Sequence, residues 1–241
     1  MKNRRFTLLI ITNIITLIGF FTLFYNGSYW TKIRQFITYR NDTTTYLRKS
    51  QFMEQMDYCT TLYQGQSNIV MFGNSLVYRM FWNELLERQD VANRGAGTDI
   101  TQGLIVRLPF VYKAKPKICF IEGGINDIMN QINPDSTLKH LAAIVDKLKE
   151  RNIIPVLHTV IYVSSDEPNH KVYNSKVSAL NERILQFAKA ANVKVINLNP
   201  HLSQNQQLKH EYAQGDGIHL TSKAYLIWKE EIRKVLDEYH I

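Results

Sequence analysis

From Asn68 onward the chain alternates short apolar runs with longer amphipathic stretches, and this alternation restricts the fold more than any single residue does. The runs lie at 68–72, near 91–93, and at 117–122, 153–160 and 194–197. Helical spacing of apolar residues follows at 76–88, 100–112, 135–150, 173–191 and 221–239. A strand that is apolar on both faces must be covered on both sides, and alternating helices supply that cover in a parallel sheet. With right-handed crossovers the pattern predicts a three-layer, flavodoxin-like α/β domain built on five parallel strands. No internal repeat appears.

Ligands of such sheets bind outside the carboxyl ends of the strands, so polar, glycine-bearing segments directly after apolar runs mark a crevice. Gly73-Asn74-Ser75-Leu76, the block from Asn93 to Asp99, and Glu122-Gly123-Gly124-Ile125-Asn126-Asp127 each occupy such a place. Near the C-terminus Asp216-Gly217-Ile218-His219 offers a base together with an acid that can orient it. A serine hydroxyl is a weak nucleophile unless an imidazole takes its proton and a third group holds the imidazole tautomer. Ser75, His219 and Asp216 therefore point to nucleophilic acyl chemistry. His158 lies inside an apolar strand and reads as structural, while His170 lacks the nearby orienting acid that His219 has.

In their order and character these four blocks resemble the SGNH hydrolases, also called the GDSL esterase and lipase superfamily. The likeness is to its small bacterial esterases and platelet-activating-factor acetylhydrolase-like members, and it covers roughly residues 66–238. The resemblance implies Ser75 as nucleophile, His219 as base and Asp216 as its orienting acid, on a sheet of order 2-1-3-4-5. It also implies an oxyanion hole formed by the Ser75 backbone N–H, a backbone N–H from Thr98 or the neighbouring Gly97, and the Asn126 side chain, with Asn74 and Gly124 in support. The chain departs from the family at two places: Asn74 stands where aspartate is usual, and Thr98 stands in the register of a glycine. An asparagine oxygen still accepts a backbone hydrogen bond, so the sequence leads us to expect that aspartate at position 74 would be tolerated or would raise turnover modestly. Threonine narrows the permitted backbone angles if a positive φ is required. The implied reaction is hydrolysis of short-chain esters, with O-acetyl groups on a carbohydrate as the leading substrate. Extracytoplasmic O-acetyl transfer to a polysaccharide and catalytically silent glycan binding are the alternatives.

Composition bounds the remainder. At 241 residues the chain accommodates one sizeable core with a small N-terminal addition. We divide it into an anchor or signal segment at 1–29, a helical bridge at 30–65 and a hydrolase domain at 66–241. Lys2, Arg4 and Arg5 precede an apolar stretch of 20 residues, Phe6 to Tyr25, long enough to cross a bilayer core. An uncleaved anchor with the catalytic part outside the cytoplasm is favoured over a cleaved signal, because no small-x-small site follows. Beyond those three cations, 26 basic residues face 21 acidic ones, a net of +5, and the lysines are scattered, which argues against nucleic acid as a partner. The two cysteines, Cys59 and Cys119, and the histidines show no metal-ligand spacing, and the implied chemistry calls for no cofactor. The sequence leaves the oligomeric state open.

Overall fold

The strands alternate their side chains between two separate cores. In the computed structural model, which describes residues 50–62 and 65–241 together with Asn13 and Thr16, every residue of β1 (Ile69–Gly73) is buried. Val70 and Phe72 point to one face, with Cys119, Ile121 and Leu157. Ile69 and Met71 point to the other, with Ile118, Phe120 and Val156. Such period-two division is what a strand covered on both sides requires.

The remaining strands are β2 (Val91–Gly95), β3 (Ile118–Ile121), β4 (Ile154–His158) and β5 (Lys194–Ile196). They form one parallel sheet in the order β2-β1-β3-β4-β5. The first face is covered by three helices introduced here as α4 (Thr101–Lys113), α6 (Pro134–Lys149) and α7 (His170–Ala191). Across the second face lies α9 (Ser222–Glu238), whose Trp228 is fully buried among Trp82, Tyr225 and His158. Each buried large apolar side chain contributes about 1.5–3 kcal/mol to this packing.

Two findings depart from the sequence reading. Helix 76–88 is two pieces, α2 (Ser75–Tyr78) and α3 (Trp82–Leu86). The break is held by partners outside the local sequence pattern. The Trp82 indole N–H donates to Val77 O at 2.8 Å, and the Asn93 amide reaches the carbonyls of Val77, Tyr78 and Met80 at 3.0–3.2 Å. At Gly95 a Cβ would lie 2.2 Å from Tyr78 N, so only glycine lets β2 approach α2 this closely. Short elements also went unread: α5 (Ile125–Met129), α8 (Asn199–Leu202), a β6–β7 hairpin (Ser203–Gln204 with Gln207–Leu208) and a 3-10 turn at His210–Tyr212. Ahead of the sheet, α1 spans Ser50–Thr61. The expected N-terminal span lies outside the described residues, and no described helix is long and apolar enough to cross a membrane.

One buried cation joins the ends of β1 and β2. Arg107 of α4 donates to Asp99 Oδ2 from Nε and Nη2 at 2.8 and 2.5 Å. It also donates to Arg94 O at 2.8 Å and to Gly73 O at 3.0 Å, with its guanidinium 5.0 Å from the Phe72 ring centroid. Removing one partner of a fully buried ion pair leaves a desolvated charge behind. Arg107→Met should therefore destabilise the protein by about 3–5 kcal/mol in urea unfolding, and a cost below about 1 kcal/mol would show that the pair does not hold the strand ends together.

Candidate active site

Ser75 opens α2 directly after β1, where the backbone turns sharply out of the sheet. Asn74 caps that turn: its Oδ1 accepts the Leu76 N–H at 2.8 Å. From the far end of the chain, His219 places Nε2 3.0 Å from Ser75 Oγ. The other ring nitrogen, Nδ1, is hydrogen-bonded to Asp216 Oδ2. Asp216 also accepts the backbone N–H groups of Ile218 at 3.0 Å and His219 at 2.9 Å. Partial burial alone would raise the Asp216 pKa, but these donors outweigh it and hold the carboxyl down at about 2. A charged Asp216 keeps a proton on Nδ1 and leaves Nε2 free to accept one from the Ser75 hydroxyl.

Backbone bonds set the loop that carries Asp216 and His219. Gln214 N donates to His219 O at 2.7 Å, Gly217 N to Gln214 O at 2.9 Å, and Ser164 N to Gly217 O at 2.7 Å. The last of these joins the segment after β4 to the histidine loop. His158 and His170 lie elsewhere. His158 is buried, accepts the Trp228 indole N–H at 2.8 Å, and is pushed down to about 4 by burial. His170 sits at the start of α7 against Glu167 O.

A cleft of about 420 Å³ opens over Ser75 and His219, with Gly97, Thr98 and Asn126 along it. Asn126 donates through Nδ2 to Asp99 O at 2.8 Å. An amide has two such protons, so one fixes the side chain and the second remains for the cleft. The structure settles the conformational question raised by Thr98: its φ is +61°, so a β-branched residue holds a left-handed conformation. Strain of this kind costs about 1–3 kcal/mol and persists only where the surroundings enforce it. Gly124, with φ +126° at the entry to α5, has 2.7 Å between a hypothetical Cβ and Val160 Cγ2.

Two buried carboxyls behind the cleft had no distinctive sequence signal. Asp127 accepts the Thr101 N–H at 3.0 Å, the Thr101 hydroxyl at 2.5 Å and the Thr137 hydroxyl at 3.3 Å, pinning α5 to α4. Burial raises it to about 6 against the pull of those donors. Glu122, at the end of β3, receives the Asn74 amide at 3.2 Å. Burial drives Glu122 up to about 8, so it carries a proton at neutral pH. This partner bears on the expectation for aspartate at position 74. The Asn74 amide is a donor that aspartate lacks; two carboxyls would then face each other, compatible while Glu122 keeps its proton and repulsive once it is lost.

A carboxyl whose folded pKa lies above its unfolded value binds more protons when folded. Its stabilisation is complete below about 4.5 and is lost as pH rises through about 8. Melting midpoints at pH 5 and pH 8 should therefore diverge less in Glu122→Gln than in the wild type. Asn74→Asp should be destabilised most at pH 8, and adding Glu122→Gln to it should restore much of the loss. An unchanged pH dependence in Glu122→Gln would rule out a protonated Glu122.

With this geometry in place, comparison with known proteins adds the family. The model of the GDSL-like lipase/acylhydrolase family matches residues 71–227. No functionally curated protein matches the chain in sequence. Among solved structures, a GDSL-like lipase from Bacteroides thetaiotaomicron superposes with a TM-score of 0.64 at 21% identity, covering 85% of this chain and 99% of the other. The lipase/acylhydrolase from Enterococcus faecalis gives 0.62 at 21%, covering 72% and 97%. The acetyl xylan esterase AlAXEase gives 0.59 at 16%, covering 70% and 98%. These structures share the fold, and the family match spans most of the chain. The chain belongs to the GDSL-like lipase/acylhydrolase family and is an ester hydrolase.

Proposed function

We propose that the chain is a serine esterase acting on short-chain esters, with O-acetyl groups on carbohydrate as its substrates. The observation that carries the mechanism is the continuous hydrogen-bonded path from Ser75 through His219 to Asp216. His219 takes the Ser75 proton as Oγ attacks the ester carbonyl, while Asp216 holds the ring and offsets the imidazolium charge. The Asn126 amide, the Ser75 backbone N–H and a backbone N–H from Thr98 or Gly97 stabilise the tetrahedral oxyanion. His219 then gives its proton to the leaving alcohol. Water repeats the sequence to release the acid and regenerate Ser75.

The substrate class draws on the cleft and on one neighbour. A cleft of about 420 Å³ suits a small acyl group. Tyr78, Arg79 and Glu54 along it supply an exposed ring and side chains that hydrogen-bond to hydroxyls. An acetyl xylan esterase with the same fold supports the carbohydrate choice. We place the enzyme outside the cytoplasm, held by the basic start and the 20-residue apolar stretch from Phe6 to Tyr25.

An activated phosphonate should label the protein at Ser75, as read by mass mapping, and should leave Ser75→Ala unmodified. Ser75→Ala and His219→Ala should abolish nearly all turnover of short acyl esters, and Asn126→Ala should lower kcat about 100- to 1000-fold, roughly 2.7–4 kcal/mol. Wild-type turnover in Ser75→Ala would end the serine mechanism. For the location, the full-length chain should stay with membranes through high-salt and alkaline washes. Recovery of a soluble chain starting after about residue 27 would favour signal cleavage instead.

A further inference from the structure

The cleft contains a cation that the ester mechanism does not use. Arg79 lies four residues beyond Ser75, at the end of α2, and so falls on the same helical face. A guanidinium has five N–H donors. Among the described residues, the side chain of Arg79 engages one partner, the neutral Gln214 Oε1, at 3.3 Å. No described carboxylate forms an ion pair with it. The anchor is itself fixed: Gln214 Nε2 donates to Leu220 O at 2.8 Å, and Gln214 N donates to His219 O at 2.7 Å. Arg79 is thus tied to the loop that carries His219, the group that in the proposed mechanism returns a proton to the departing alcohol. Glu54, the acidic residue of the same cleft, is engaged within its own helix, accepting the Tyr58 hydroxyl at 2.5 Å.

We propose that Arg79 is the receptor for an anionic group on the alcohol side of the ester, so that the preferred substrates are acetyl esters of carboxylate- or phosphate-bearing alcohols. The inference rests on the serine esterase reading. Arg79 is exposed, and an exposed arginine gains little from a lone screened partner; held at the cleft by a neutral amide, it keeps its remaining donors for a planar or tetrahedral anion. The binding energy would appear in kcat/KM for charged substrates and shrink with added salt.

The test compares kcat/KM for 4-acetoxybenzoate, 4-acetoxyphenyl phosphate, neutral 4-acetoxybenzamide and cationic (4-acetoxybenzyl)trimethylammonium. Ratios between variants cancel the intrinsic reactivity of each ester. The wild type should favour at least one anion over the neutral ester, and Arg79→Gln should lower that anion-to-neutral ratio by about tenfold or more. Arg79→Lys should retain part of the preference as a point charge, and sodium chloride should reduce it in the wild type. The larger of the carboxylate and phosphate ratios identifies the anion. Equal rates across the charge series, a preference for the cation, or an unchanged ratio in both Arg79 variants would overturn the proposal while leaving the esterase intact. Failure to cleave any of the four esters, or equal cleavage by Ser75→Ala, would instead defeat the serine esterase reading and this inference with it.

Discussion

The Arg107 guanidinium is the constraint on which the rest of the site depends. It gathers the carbonyl end of β1, the carbonyl of Arg94 near the end of β2, and the carboxylate of Asp99, three points that local sequence preference does not bring together. A buried ion pair is weak evidence for stability, since desolvation consumes most of its attraction. Its contribution here is registration. With Asp99 fixed by Arg107, the Asp99 carbonyl in turn receives the Asn126 amide. Position therefore passes from the core to the cleft through Asp99, whose carboxylate meets Arg107 and whose carbonyl meets Asn126.

Two carboxyls near Ser75 are held in opposite protonation states by their surroundings. Asp216 is half-exposed and rich in donors, which keeps it charged beside the His219 ring. Burial keeps Glu122 neutral behind Ser75 against the opposing pull of the Asn74 amide. Burial thus does for Glu122 what hydrogen bonding does for Asp216: each fixes the charge of one carboxyl, and both charges suit the proposed acyl transfer at Ser75.

Much of the scaffold was legible because hydrophobic periodicity is local. The five strands and the long helices follow from spacing alone, and their order agrees with the resemblance. The meeting of Ser75 with His219 and Asp216 was also legible, since topology brings blocks at strand ends and the final loop to one rim. What escaped was held by distant partners. Arg107 reads as an ordinary basic residue on a helix, because nothing near it in sequence shows the two strand ends it will meet. Apolar spacing continues smoothly through Met80, so the break between α2 and α3 became visible only with Asn93 and Trp82 in place. Asn74 was judged as a weakened aspartate because Glu122, its actual partner, lies 48 residues away.

The cleft is assembled from parts wired to the sheet to different degrees. Ser75, Thr98 and Asn126 sit on segments locked to strand ends by Arg107, Asp99 and Asp127. Glu54 comes from α1, which precedes the sheet and meets α4 through an exposed bond from Lys113 Nζ to Thr60 O at 2.8 Å. A substitution in α1 thus alters the company an incoming ester keeps without moving the atoms that react with it. The cleft wall is thus divided: α2 presents Tyr78 and Arg79 on the same short helix that carries Ser75, whereas Glu54 arrives on a stretch of chain that a substitution can change without touching Ser75 or His219.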